Sequence, residues 1–423
     1  TRRALTGGAD WDLRLSDNTY QIRGHASFTH RAAPNAPDMA SATGVSASTR
    51  VARVSGATTY RIGARALGPN FDSNDLGQLD ENNVVRLRGR LEHELNDGQS
   101  FSVFQRARGR VELNQRLTYD SGLDLGLGHS ARTTWTFRNF SRIRVESSSD
   151  YLRGGFDLFE TRGLGLRARP REFETELDLR TDSRRDWQLE PEVSITTQEN
   201  GGRSYSAELE ASWDANQYLS FSVSTEYERE AAVVEWVANE TVRRSNDQWL
   251  LATDDERALD APTETLDALF APRQTSDTEA VVPVYGQRDT RALNLEMSGD
   301  VTFSPGLSVE LFGQLFGARG QYDGFQVLQT PDDLADFPNY PRRYDFATSS
   351  FIFNTILRWE YRPGSELFVV WAQSRDLDID DPFFFDRAQT SPYGPSIPNR
   401  MGDVFATYPA NTFSVKLRYA FTN

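Results

Sequence analysis

The sequence predicts an all-β fold: a transmembrane antiparallel outer-membrane β-barrel, with about seventeen strands in this chain and eighteen or more in the complete barrel. Three observations carry the prediction. Apolar and polar residues alternate with a period of two along almost the whole chain. The alternating runs last about ten residues or more, whereas soluble strands have a mode near five or six and membrane-spanning strands need roughly 9–11. Tight turns and long connections also take turns along the chain.

The expected strands, in order, are 10–16, 19–31, 43–54, 58–67, 83–95, 100–119, 123–137, 141–151, 171–180, 187–197, 204–213, 218–229, 290–303, 307–322, 350–362, 366–376 and 411–421. In the run at 204–213, Tyr205, Ala207, Leu209, Ala211 and Trp213 alternate with Ser204, Ser206, Glu208, Glu210 and Ser212. The run at 350–362 sets Phe353, Leu357, Trp359 and Tyr361 against Asn354, Arg358, Glu360 and Arg362. Turns rich in Gly, Pro, Asn and Asp fall at Ser55-Gly56, Asn96-Asp97-Gly98, Asp214–Gln217, Ser304-Pro305-Gly306 and Pro363-Gly364-Ser365. Between them lie long connections at 32–42, 69–82, 230–289, 323–349 and 376–410, the first of the last three carrying a short helix around Pro262–Phe270. Short turns on one side and long loops on the other are the pattern of an outer-membrane barrel, the short side being periplasmic.

The last strand states the case most compactly. Phe413, Val415, Leu417, Tyr419 and Phe421 share one face; Ser414, Lys416, Arg418 and Ala420 share the other. Taken alone it suits the closing strand of a soluble β-sandwich equally well, and strand length and loop alternation decide for the membrane. It also resembles the aromatic-ended C-terminal strand by which outer-membrane proteins are recognised, although Thr422 and Asn423 follow the aromatic here. An odd strand count, with the last strand ending on the periplasmic side, puts residue 1 outside. The expectation is a single barrel domain over 1–423 that forms the C-terminal part of a longer protein with at least one upstream strand.

Composition narrows the function classes. Mean hydropathy is -0.58 and no long apolar run occurs, which excludes a membrane helix and leaves a barrel untouched. There is no Cys, so disulfides, thiol catalysis and Cys-based metal sites are ruled out. A net charge of -15 argues against nucleic acid as a partner. Lys416 is the only lysine among 46 basic residues, and Arg suits carboxylate pairing in a restricted lumen.

Several segments do not follow from periodicity: Gly-Pro-Asn-Phe-Asp-Ser-Asn-Asp-Leu-Gly-Gln-Leu (68–79), Leu-Arg-Gly-Gly (152–155), Arg-Thr-Asp-Ser-Arg-Arg (180–185), Phe-Ser-Pro-Gly-Leu-Ser-Val-Glu-Leu-Phe (303–312) and Leu-Arg-Trp-Glu-Tyr-Arg-Pro-Gly-Ser-Glu-Leu-Phe-Val-Val-Trp (357–371). In this order they resemble an uncharacterised bacterial outer-membrane barrel family, a domain of unknown function usually following a family-nine-type carbohydrate-binding domain. The resemblance spans essentially the whole chain. It implies further strands and an N-terminal periplasmic binding domain upstream, and a saccharide connection by kinship only.

No catalytic constellation is expected, and neither is a cofactor or an enzymatic activity. His25 and His30 lie five apart on a strand and so on opposite faces. His129 and Ser130 are adjacent, and no nucleophile elbow accompanies them. Asp376, Asp378, Asp380 and Asp381 are weak calcium candidates with no Gly-bearing loop, and Asp72, Asn74, Asp75 and Asp80 invite the same reading at the same discount; a solvated acidic loop is the simpler reading of both sets. Arg153, Arg162, Arg167, Arg169 and Arg171 sit in a Gly-rich stretch that could fold inward as a constriction, either as a structural ion network with Glu174, Glu176 and Asp178 or as an anion-recognising gate. Arg358, Glu360, Arg362, Lys416 and Arg418 are expected to line the lumen; Trp213, Trp359, Tyr361, Tyr419 and Phe421 are expected at lipid or its interfaces. The leading expectation is a conduit or transporter for a polar solute or polymer in the bacterial outer membrane, with lipid and other envelope proteins as partners. The alternatives are a structural anchor for partner proteins and, less favoured, an outer-membrane hydrolase.

Overall fold

The computed structural model describes residues 3–32, 41–72, 81–96, 103–252, 258–259, 261–379 and 401–421. Almost all of them are strand. Twenty strands belong to one antiparallel sheet and two more form a separate ribbon. The described pairings leave the sheet open and do not close it into a barrel, so the antiparallel sheet is the fold that is shown. The chain forms two compact units: Thr1–Arg138 with Arg144–Glu160 and Gly165–Thr175, and Asn139–Ile143 with Thr161–Leu164 and Glu176–Asn423.

The first unit is an up-and-down meander of β1 (Arg3–Leu15), β2 (Tyr20–Ala32), β3 (Ala42–Arg53), β4 (Thr58–Leu67), β5 (Val84–Asn96), β6 (Phe104–Thr118), β7 (Asp124–Phe137) and β8 (Arg142–Ser149). Each strand from β1 to β7 pairs with the next. Gly126, at φ +117°, sits beside a register shift at the start of β7, and Gly155 lies so close against it that a Cβ on Gly155 would fall 2.6 Å from the Gly126 Cα. That close approach seats the ribbon of β9 (Gly155–Asp157) and β10 (Arg167–Arg169) on the sheet. A small core of Leu67, Phe71, Val84 and Leu125 lies below Leu123 and Leu158.

The second unit continues with β11 (Glu172–Arg180), β12 (Trp187–Gln198), β13 (Arg203–Asn216) and the very long β14 (Leu219–Ser245). After β15 (Gln248–Leu251), helix α1 (Thr263–Phe270) and β16 (Gln274–Ser276) come the equally long β17 (Glu279–Ser304) and β18 (Leu307–Thr330), then β19 (Asp333–Asp336), β20 (Phe346–Arg362), β21 (Ser365–Ile379) and β22 (Ala410–Arg418). The expected loop at 230–289 is therefore largely strand, since β14 and β17 stay paired up to Arg243↔Glu279. The connection at 323–349 is likewise part strand, in β18 and β19. The helix falls where it was expected. These extensions hold the largest core of the molecule: Val242, Trp249, Leu251, Val282, Val284 and Val327 close around Leu266, Leu269 and Phe270, the three buried side chains of α1. Their i, i+3, i+4 spacing puts all three on one side of that helix. The Trp249 and Phe270 rings meet edge to face at 5.1 Å, and Trp249 Nε1 donates to Asp267 Oδ1 at 2.6 Å.

Away from those cores, the apolar face of many strands is left exposed. Leu5, Leu13, Ile62, Leu91, Val111, Val193, Leu209, Phe221 and Met297 are all exposed on the apolar side of their strands, and Phe413 is 72% exposed.

Candidate functional site

Antiparallel register decides which side chains meet across the charged face, because directly opposed residues lie on the same side of the sheet. In the first unit two rows cross β1 to β6. One runs Asp12, Arg23, Arg50, Gly63, Arg88, Asn114; the next runs Asp10, His25, Ser48, Arg65, Arg86, Arg116. Further along β5 and β6, Arg90 faces Glu112, Glu92 faces Arg110 and Glu94 faces Arg108. Here the charges interlock. Glu112 binds Arg88 and, at 2.6 Å, Arg90; Glu92 binds Arg108 and Arg110, both at 2.9 Å; Glu94 binds Arg106 at 2.7 Å. Glu81 takes Arg86 and Arg116, and Glu146 takes Arg132 and accepts from Ser130. Carboxylates each shared by two guanidinium groups form a network, which is worth more than isolated surface pairs.

The second unit carries the opposite sign. Across β12, β13 and β14 the register sets Glu190 against Glu210, and Glu192 against Glu208, which in turn faces Glu226. Arg180 reaches Glu190 at 2.7 Å, while no ion pair involves Glu208 or Glu210 among the described residues. Further on, Asp300 faces Glu310.

The residues singled out from sequence fall as follows. Arg358 donates to Glu366 at 2.5 Å and Arg418 lies 3.6 Å from the same carboxylate, so two of the expected lumen cations share an anion. Glu360 caps the turn by accepting from the Gly364 N–H at 2.8 Å. A register shift between Glu360 and Arg362 ends the alternation there, and Arg362 donates to the Tyr419 hydroxyl at 3.1 Å. Lys416 faces Phe368. Trp213 stacks on Trp187 at 5.2 Å, Trp359 meets Tyr361 at 5.9 Å, and Tyr419 meets Phe421 at 4.8 Å. Phe421 lies beyond the end of β22.

The Gly-rich arginines do not converge on a single point. Arg153 holds Asp124 at 2.6 Å and Gln115 at 2.7 Å, and Arg169 holds Glu160 at 2.9 Å and lies over the Tyr151 ring. Arg162, in the second unit, lies 4.6 Å over Trp236. Arg167 is buried, and Arg171 also has partners. Burial pushes the Glu160 carboxyl up from its ordinary value, with Arg169 opposing. Of the acids expected to answer these arginines, Glu174 accepts from Ser148 at 3.0 Å and Asp178 lies 3.8 Å from Arg142.

All four histidines hydrogen-bond a hydroxyl on the neighbouring strand: His25 with Ser48, His30 with Thr43, His93 with Thr58 and His129 with Ser147. No metal-ligating cluster exists among the described residues. Asp378 accepts from Thr348 at 2.5 Å, Asp376 lies on the same strand, and Asp380 and Asp381 fall outside the described residues, as do Asn74, Asp75 and Asp80. In the extension of the second unit, buried Glu240 receives the Tyr340 hydroxyl at 2.6 Å and Arg342 at 3.1 Å beside a cavity of about 640 Å³. Burial, then the hydrogen bond to Glu240, pushes the Tyr340 hydroxyl far above the usual phenol range.

The arginine–glutamate ladder of β5 and β6 did not figure in the sequence reading. Its signal was present as the alternating series Arg86, Arg88, Arg90, Glu92, Glu94 and Arg106, Arg108, Arg110, Glu112. An all-β protein whose strands expose an apolar face and carry charge on the other is the class these features define. Within it, the chain belongs to the family described as Domain of unknown function (DUF5916), whose model matches residues 1–421. No curated protein matches the chain. Among solved structures, a NanC porin in a rhombohedral crystal form is similar over 58% of this chain and 81% of its own, at 10% identity and a TM-score of 0.18, a likeness too slight to carry an argument.

Proposed function

We propose that the chain is an outer-membrane β-barrel conduit for a polar solute or polymer. The observation that carries this reading is the two-faced strand. Ile62, Leu91, Val111, Phe413 and Val415 present their side chains outward from the sheet, while the opposite face is charged. Water would penalise so much exposed apolar surface, roughly 25 cal/mol per Å². A bilayer removes that penalty provided that every backbone N–H and C=O is paired, which requires the sheet to close. The charged face then lines a lumen, and eighteen or more strands leave an aqueous channel unless loops fill it.

On this reading the protein resides in the bacterial outer membrane, has lipid as its constant partner and is not an enzyme. A saccharide-related cargo rests only on the resemblance to proteins in which such a barrel follows a carbohydrate-binding domain. Reconstitution into planar bilayers tests the conduit: stepwise conductance is expected, and a sealed barrel without solute flux overturns it. The core around Trp249 favours a second reading, a scaffold that presents this folded extension to envelope proteins. A stoichiometric complex surviving mild detergent extraction, together with a plugged lumen, would select that alternative.

A further inference from the structure

We infer that the charged face of β2 to β6 holds a binding site for an organic oxyanion, a carboxylated or phosphorylated solute; the inference rests on the conduit reading for the way the solute reaches it. A cavity of about 520 Å³ opens there, within the first unit. Five arginines line it, namely Arg23, Arg50, Arg65, Arg86 and Arg88, and the only carboxylate among the lining residues is Asp10.

The arginines divide into two sets. Arg86 and Arg88 are neutralised by Glu81 and Glu112, which are part of the interlocked ladder. Arg23, Arg50 and Arg65 make no side-chain hydrogen bond or ion pair with any described residue. Arg23 is directly opposite Asp12, yet that carboxylate is occupied by Gln21 Nε2 at 2.9 Å and by Arg14 at 3.7 Å. Arg23 instead also faces Arg50, and Arg65 faces Arg86.

Like charges directly opposed across strands are destabilising. On the neighbouring stretch of β5 and β6 the chain answers its arginines with glutamates. Here the described lining holds no glutamate and a single carboxylate, Asp10, which faces His25; the other polar groups are His25, bonded to Ser48 at 2.9 Å, and Asn114. Gly63 lines the cavity between Arg50 and Arg88 in the same row, and a Cβ there would fall 2.9 Å from the Thr49 carbonyl oxygen, so the position stays open. Space, unneutralised guanidinium groups and neutral polar neighbours together make a receptor for a planar or tetrahedral oxyanion, which Arg grips through two parallel N–H donors. A cavity of this size suits a solute of one or two sugar rings or similar bulk.

Equilibrium binding to the full chain folded in detergent micelles tests the site without requiring conductance. D-glucuronate, D-glucose 6-phosphate and D-glucose are titrated by calorimetry. Saturable binding of either anion, at least tenfold tighter than glucose and weakening with added salt, is the expected result. Glucuronate alone marks a carboxylate site, glucose 6-phosphate alone a phosphate site, and both a general oxyanion site. In R23Q/R50Q/R65Q the affinity should fall about tenfold per arginine. R108Q, which removes a ladder arginine outside the cavity, should bind as the parent does. If the triple variant fails to show the heat-modifiable mobility of a folded barrel, R50Q alone is read in its place. Binding of neither anion, equal binding of all three sugars, or parental affinity in the arginine variant overturns the site. Conductance of the same preparation is scored separately, so a sealed barrel that still binds glucuronate defeats the conduit and leaves the site standing.

Discussion

The two units keep their order by different means. In the first, the buried core is small, and cross-strand guanidinium–carboxylate contacts tie β5 to β6 and β7 to β8. In the second, the charged face of β12, β13 and β14 sets acid against acid, and buried side chains gather in the strand extensions around Trp249. The stretch from β5 to β8 thus draws its specificity from charge pairing, while β12 to β14 tolerate charge repulsion and the extensions beyond them are held by ordinary packing. The acidic wall therefore has a role that stability does not explain. On the proposed conduit reading, this excess of carboxylates faces the lumen.

The largest effect should come from the core that only the second unit has. Trp249→Ala removes a fully buried ring together with its bond to Asp267, and about 3–5 kcal/mol of local stability should be lost. Limited proteolysis should then cut the extension between Ala231 and Phe337 while the first unit stays resistant. Equal sensitivity of both units would remove the distinction. Next in size is Glu112→Gln, which leaves Arg88 and Arg90 without their shared anion. Because both arginines are partly solvated, the cost is about 1–2 kcal/mol, read as a lower denaturant midpoint of refolding into micelles.

This division explains which parts of the fold were legible in the sequence. Wherever one face is apolar and the other polar, period-two alternation marks the strand, and β3, β4, β12 and β13 fall within a residue or three of expectation. The extensions escaped because they are buried on both faces. Val282, Pro283, Val284 and Tyr285 are consecutive buried residues, so no alternation survives. Register shifts after Glu230, with Ala232 at φ +56°, and again after Trp236 displace the pattern further. Individual ion pairs were hidden for another reason. Glu112 lies more than twenty residues from Arg88 and Arg90, and only the register across the β5–β6 connection shows which of them meet. The arginines of 153–171 were conspicuous in the sequence, yet Arg153 went to Asp124, a residue far upstream that the ribbon geometry brings near.

The same substitution made in the second unit should carry the opposite sign. Glu208 lies between Glu192 and Glu226 with no cation paired to it among the described residues, so Glu208→Gln should raise stability by about 0.5 kcal/mol. A loss matching that of Glu112→Gln would show that an undetected cation neutralises the acidic wall. The paired variants E112Q and E208Q, compared by denaturant midpoint under identical conditions, are therefore the sharpest test of whether the two walls differ in kind.

The smallest effect concerns the turn between β11 and β12, where the second unit does pair its charges. Asp182 receives Arg184 through Nε at 2.9 Å and Nη2 at 2.8 Å, and that side-chain hydrogen bond, joined by the Arg184 backbone N–H, holds its carboxyl at about 2. A carboxyl depressed in the folded state contributes its stabilisation above the ordinary value near 3.8 and loses it as the pH falls through about 2. The turn should therefore stay unprotonated in mild acid. A carbon-detected titration of the Asp182 side chain should show its midpoint near 2, and Arg184→Gln should move that midpoint toward 3.8 without altering the strands on either side. A midpoint already near 3.8 in the parent would mean that this exposed pair does not persist in solution, leaving Arg180 with Glu190 as the ion pair between β11 and the acidic wall.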